Sequence, residues 1–195
     1  MDRRQFTIAA LAAVVAAAAT PAMAKLYYNP DTNQWEERTV NAHGHGSYSA
    51  IPRSTVSYDG KYRAGTIIVE TAERRLYYVL PGGEAMKYGI GVGRDGFRWS
   101  GQHTITRKAE WPGWTPPAEM RRRVPDLPAY MPGGPDNPLG ARALYIGSTL
   151  YRLHGTSEPW TIGQAVSSGC TRLTNDDIID LYDRVKVGSM VVVHQ

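Results

Sequence analysis

Cys170 is the only cysteine in the chain, and it follows His154 by sixteen positions in the stretch HGTSEPWTIGQAVSSGCTR. A thiol must become a thiolate to attack a carbonyl, and a histidine within reach is the usual base. Matched protonation of the two would give a bell-shaped pH profile. The oxyanion created by such an attack needs N–H donors, and the small-residue run Ser168-Gly169-Cys170 can turn amides toward one point. A helix opening a few residues later would add its positive end. A lone cysteine is also a common small core residue. The polar Ser-Ser-Gly surroundings, a histidine at a predicted strand end and an export leader weigh toward chemistry. On these residues alone, nucleophile and buried filler stand as even alternatives.

The leader is residues 1–24. MDRRQFTIAALAAVVAAAATPAMA has a basic start, an apolar run from Ile8 to Ala19 and an Ala22-Met23-Ala24 cleavage pattern, which together describe a secretory signal peptide. Arg3-Arg4 followed by Gln5-Phe6 resembles a twin-arginine signal, with polar Thr7 leaving the route open. The apolar run is short for a membrane span and no second one follows. The expected mature protein is therefore exported to the periplasm or cell envelope, with no transmembrane segment. In an oxidising compartment spare cysteines become disulfides, so a single one is either inert or kept for chemistry.

A net charge of +4 fits an anionic wall polymer better than nucleic acid, which calls for a strongly basic stripe. The one basic cluster, Arg121-Arg122-Arg123, reads as a solvated loop face. His43-Gly44-His45 lacks the further ligands a metal site needs, so no metal is expected. Twelve tyrosines and five tryptophans against two phenylalanines favour a β-rich body.

Residues 25–62 show no clear period and read as an extended lead or linker. From Gly65 the pattern is that of strands. GTIIVET and RRLYYVLPGG form a hairpin with a Pro-Gly-Gly turn after it, and AMKYGIGVGRDG continues as a strand. Residues 99–140 are dense in Pro, Gly and Trp and read as an ordered loop capping a cleft. ARALYIG and TLYRLHG predict a second hairpin ending at His154. Thr174 can cap a helix, with Asp177 at the capping-box position and Ile178, Leu181, Tyr182 and Val185 on its buried side. SMVVVH is a last strand. Trp111, Trp114 and Trp160 read as packing or loop anchors, Tyr145 as core, and His103 as a structural residue near the cleft.

HGTSEPWTIGQAVSSGCTRL closely resembles the signature of the L,D-transpeptidase catalytic domain, the YkuD-like or ErfK/YbiS/YcfS/YnhG-type family of peptidoglycan enzymes. The signature is His-Gly, a short gap, then Ser-X-Gly-Cys, a small or apolar residue, and Arg or Asn. Here it is His154-Gly155, then Ser167-Ser168-Gly169-Cys170-Thr171-Arg172. WPGWTPPAEM, NPLGARALYI and YGIGVG also look like family segments, and the likeness spans residues 63–194.

The resemblance implies a mainly β fold, a sandwich or mixed sheet with one helix after the cysteine. It implies Cys170 as nucleophile, His154 as base and the Gly155 carbonyl as the third member of the triad. Gly169 and Cys170 amides would line the oxyanion hole, flanked by Ser167 and Ser168. Arg172 would hold the loop or a substrate carboxylate, or else pair with Asp176 or Asp177. Many members carry a second histidine where this chain has Ser168. The implied reaction takes a stem tetrapeptide of peptidoglycan as donor and releases D-Ala. It then joins the thioester to a diaminopimelate amine in a 3-3 cross-link. No cofactor is implied, and carbapenems are expected to acylate the thiol. A protein acceptor, water, or a non-catalytic wall-binding module are the alternatives.

Overall fold

A computed structural model describes residues 23–29 and 34–40 as backbone, and residues 51–94, 99–167 and 169–195 with side chains, those of Arg123 and Val166 excepted. Residues 1–22 of the leader, His43-Gly44-His45 and Ser168 lie outside the described residues.

The first two strands, β1 (Met23–Asn29) and β2 (Gln34–Val40), pair as an antiparallel hairpin. β3 (Ser54–Ser57) then forms the edge of the main sheet against β6 (Glu84–Gly89). β4 (Ile67–Glu70), β5 (Arg75–Leu80) and β6 make the expected meander. Its Pro-Gly-Gly turn puts Gly82 and Gly83 at φ of 82° and 79°, a region open to glycine at little cost. β7 (Val92–Gly93) leaves this sheet and pairs in parallel with β11 (Ala165–Ser167).

The stretch read as one capping loop begins with a long strand. β8 (Gly101–Glu110) pairs with both β9 (Arg142–Ile146) and β13 (Met190–His194). GQHTITRKAE contains no proline, and the Pro and Trp density that suggested a loop belongs to residues 111–140. Within those, α1 (Ala118–Arg123) carries the arginine run on a short helix rather than a loop, with Arg122 beside Glu119. β10 (Arg152–His154) returns against β9. A 3-10 turn (Pro159–Thr161), then β11, then β12 (Thr171–Arg172) lead into α2 (Asn175–Arg184).

Among the described residues the main sheet holds nine strands in the order β12-β10-β9-β8-β13-β4-β5-β6-β3. It is mixed: β13 with β4 and β10 with β12 run parallel, and the other neighbours are antiparallel. This agrees with the mainly β expectation: α2 is the expected helix after Cys170, and among the described residues α1 is added before it.

α2 starts where the sequence predicts. The Thr174 hydroxyl accepts the Asp177 N–H at 3.2 Å, a cap of the kind that contributes about 1 kcal/mol. Ile178, Leu181 and Val185 point into the core with Ile105, Leu144, Ile146 and Leu153. At the other end Lys108 Nζ donates to the Tyr182 and Val185 carbonyls, both at 2.6 Å. A cation there satisfies orphan carbonyls and opposes the helix dipole. The helix is thereby pinned at both ends beneath the strands that carry His154.

Candidate active site

β10 and β12 set His154 and Cys170 on neighbouring strands. In this parallel pair Leu153 stands opposite Thr171 and His154 opposite Arg172. Opposite residues share a face, and faces alternate along each strand. Leu153 and Thr171 are buried, and Leu153 belongs to the core cluster under the sheet. His154 and Arg172 therefore occupy the other face, as does Arg152 two residues back. Cys170 comes one residue before β12, level with Arg152. It thus stands one strand over and two residues back from His154, a diagonal of about 8 Å between Cα atoms. The fifteen intervening residues run out through the 3-10 turn and back along β11.

His154 is buried, and its Nδ1 lies 2.5 Å from the Gly155 carbonyl. A carbonyl only accepts, so Nδ1 carries the proton and Nε2 keeps its lone pair. Burial comes first in pushing the imidazole pKa down to about 3, and Arg172 and Arg152 add to it; the Gly155 carbonyl pulls the other way. The resting imidazole is neutral, of one tautomer, and able to take a proton through Nε2.

Gly155 has to be glycine. A Cβ there would stand 3.0 Å from the Ala141 nitrogen and 3.1 Å from Ile178 Cγ2, with Asn175 Oδ1 closer still. Asn175, the first residue of α2, accepts the Ala141 N–H at 2.9 Å. The Gly155 N–H donates to the Arg142 carbonyl at 3.0 Å. The helix start thus fixes the peptide that orients His154.

The turn before the cysteine is held from two sides. The Ser167 hydroxyl donates to the Cys170 carbonyl at 2.5 Å, and Gly169 takes a φ of 103°. Trp99 Nε1 donates to the Gly169 carbonyl at 3.1 Å. Trp99 is itself stacked on Tyr151, with centroids 4.6 Å apart and planes 5° apart, and meets the edge of His103. A peptide unit is planar and trans, so its C=O and N–H point in opposite directions. By holding the Gly169 oxygen, Trp99 aims the Cys170 N–H the other way. No described residue accepts that N–H, which leaves it available to a developing oxyanion. Cys170 is free and half-buried.

Arg172 pairs with Glu158 at 2.9 Å, which corrects the expectation of Asp176 or Asp177. Asp177 is taken by Arg53 at 3.3 Å, because the helix start faces the lead segment while Arg172 faces the 3-10 turn. Tyr145 is not core: it lies half-buried on the His154 face, under Arg107. Trp114 anchors the 111–140 region through mutual backbone bonds with Met131, and Trp111 is 39% exposed. Sequence reasoning passed over Trp99, Glu158, Asn175 and Arg152. Glu158 sits inside the motif stretch and could have been paired with Arg172 by charge; Trp99 carried no such signal.

The family model described as YkuD, L,D-transpeptidase catalytic domain, matches residues 64–193. A protein of Escherichia coli K12 named probable L,D-transpeptidase ErfK/SrfK is 44% identical over 155 residues, 76% of this chain and 49% of that protein. The chain thus spans about half the length of this and similar curated relatives. A crystal structure from Brucella melitensis, named a probable carnitine operon oxidoreductase, is 42% identical with a TM-score of 0.52, covering 78% of this chain and 99% of that one. L,D-transpeptidase 3 of Mycobacterium tuberculosis shares the fold at 18% identity and a TM-score of 0.53, covering 89% and 79%.

Proposed function

The chain belongs to the YkuD L,D-transpeptidase catalytic-domain family, and from that premise we propose that it is an exported acyltransferase acting on peptidoglycan stem peptides through a Cys170 thioester. One observation carries the residue roles: the Nδ1–H of buried His154 is directed to the Gly155 carbonyl, which leaves Nε2 to serve the neighbouring thiol.

In this reading Nε2 takes the Cys170 proton, and the thiolate attacks the carbonyl at the L-centre of diaminopimelate in a tetrapeptide stem. The Gly169 and Cys170 amides receive the oxyanion, with Ser167 holding the Cys170 carbonyl. The imidazolium returns its proton to the leaving amine, D-Ala departs, and a thioester remains. A second stem's diaminopimelate amine then gives up a proton to His154 as it attacks, forming a 3-3 cross-link and freeing the thiol. Arg172, fixed by Glu158, keeps β12 in place and favours the neutral imidazole. The donor set used here needs no metal or organic cofactor. A carbapenem offers the same thiolate a strained carbonyl. The proposed site of action is the periplasm; among the described residues no helix is long and apolar enough to cross a membrane.

The test is product analysis by mass spectrometry with a diaminopimelate-containing disaccharide tetrapeptide, beside a Cys170→Ala control. A dimer with loss of D-Ala, absent from the control, is expected. Tripeptide without dimer would replace the stem amine by water or a protein acceptor. Untouched donor in both tubes would favour a wall-binding module.

A further inference from the structure

The sheet face that carries His154 also carries a row of three further residues. Arg107 of β8, Tyr145 of β9 and Arg152 of β10 stand side by side in register. Both guanidiniums lie over the Tyr145 ring, Arg107 at 3.5 Å and Arg152 at 5.8 Å from its centroid. Arg152 is level with Cys170 on the neighbouring strand. Three strand spacings of ~4.8 Å therefore lay the row across roughly 14 Å, with the thiol at one end.

Two guanidiniums on one ring repel each other, and the ring attracts each without neutralising it. Other arginines of this region have carboxylate partners: Arg172 with Glu158, Arg142 with Glu110, Arg184 with Asp180. Among the described residues Arg107 and Arg152 have none. Arg152 donates one N–H to the Leu150 carbonyl, and its Nε is buried without a partner. Arg107 is exposed. Arg107 and Arg152 thus lie on the face of Cys170 without a carboxylate among the described residues, and the guanidinium fork matches a carboxylate.

We propose that Arg107 and Arg152, propped on Tyr145, form a subsite that seats a carboxylate of the acyl donor as the peptide lies across the sheet toward Cys170. This rests on the reading of Cys170 as the acylated nucleophile. The carboxylate can be that of the departing D-Ala or one elsewhere on the stem, and the chemistry of recognition is the same.

The test is steady-state acyl transfer by the full chain with three donors: the free acid, one amidated at the terminal D-Ala, and one amidated at the remaining stem carboxyls. Arg107→Gln, Arg107→Lys and Arg152→Gln are compared with wild type, with melting temperatures measured in parallel. In wild type, one amidated donor should show a KM about tenfold above the acid, in line with a charged hydrogen bond. That donor identifies the carboxylate. Arg107→Gln and Arg152→Gln should raise KM for the acid about tenfold and leave KM for that amide unchanged, and Arg107→Gln, which lies away from His154, should keep kcat within a few fold. Arg107→Lys should fall between. Equal effects on every donor, or no effect on any, would overturn the subsite. A fall confined to kcat would also overturn it, placing the cations' effect on the thiol. Absence of any acyl-enzyme in wild type would instead defeat the parent reading, and the subsite with it.

Discussion

The two faces of β8, β9 and β10 are built to different rules. One face presents Ile105, Leu144, Ile146 and Leu153, none more than 1% exposed, to the core under α2. The other presents Arg107, Tyr145, Arg152 and His154. The first face is apolar and interchangeable in kind: any side chain of the right volume serves. The second keeps an imidazole out of water, crowds it with cations and leaves guanidinium nitrogens without partners. Such arrangements oppose stability and are typical of sites where a reaction needs them. Residues one position apart on a strand therefore differ in what their loss should do.

The sharpest contrast comes from substituting across the sheet. His154→Gln should cut acyl transfer by about 10²–10⁴, the usual worth of a general base, with no loss of thermal stability at neutral pH. A large drop in melting temperature would show that His154 belongs with the core side after all. Leu144→Ala should do the reverse. Urea unfolding should show a loss of about 2–5 kcal/mol, while activity per folded molecule stays within a few fold of wild type.

Titration separates the faces next. His154 has a folded pKa of about 3 against 6.5 for an ordinary histidine. Between those values the unfolded chain holds the proton and the folded chain does not. Its contribution to stability is thus fully present above pH 6.5 and is lost as pH falls toward 3. Denaturant midpoints across that window should fall less steeply in His154→Gln than in wild type; parallel curves would contradict the assignment. The acid limb of kcat/KM should likewise lie well below pH 6.5.

The smallest effect concerns the oxyanion donor. Trp99→Phe keeps a ring on Tyr151 but removes the N–H that holds the Gly169 carbonyl. Acylation by a carbapenem should slow roughly tenfold, less than the loss of a whole donor. Alkylation by iodoacetamide, which forms no oxyanion, should be unchanged. Equal slowing of both would make Trp99 a packing residue only.

Much of this was legible along the chain. The α2 cap, its buried stripe and the hairpin ending at His154 follow from local spacing, because a helix start and a strand pair depend on residues near in sequence. The long strand β8 was missed because its proline-poor segment was read together with the Pro-rich stretch behind it. Tyr145 was misplaced because an aromatic in a short apolar strand looks the same whichever face it takes; only the partner strands say which side is wet.

Along the chain alone His154 and Cys170 stand out as candidates, with the small-residue run before Cys170 and the glycine after His154, since side-chain chemistry and glycine's freedom are properties of single positions. Tertiary structure decided which charges surround them. Glu158 meets Arg172 and Trp99 reaches Gly169 across 70 residues of chain. Arg107 and Arg152 share one ring only because β8, β9 and β10 lie in register, and register is a relation between strands that no single segment carries.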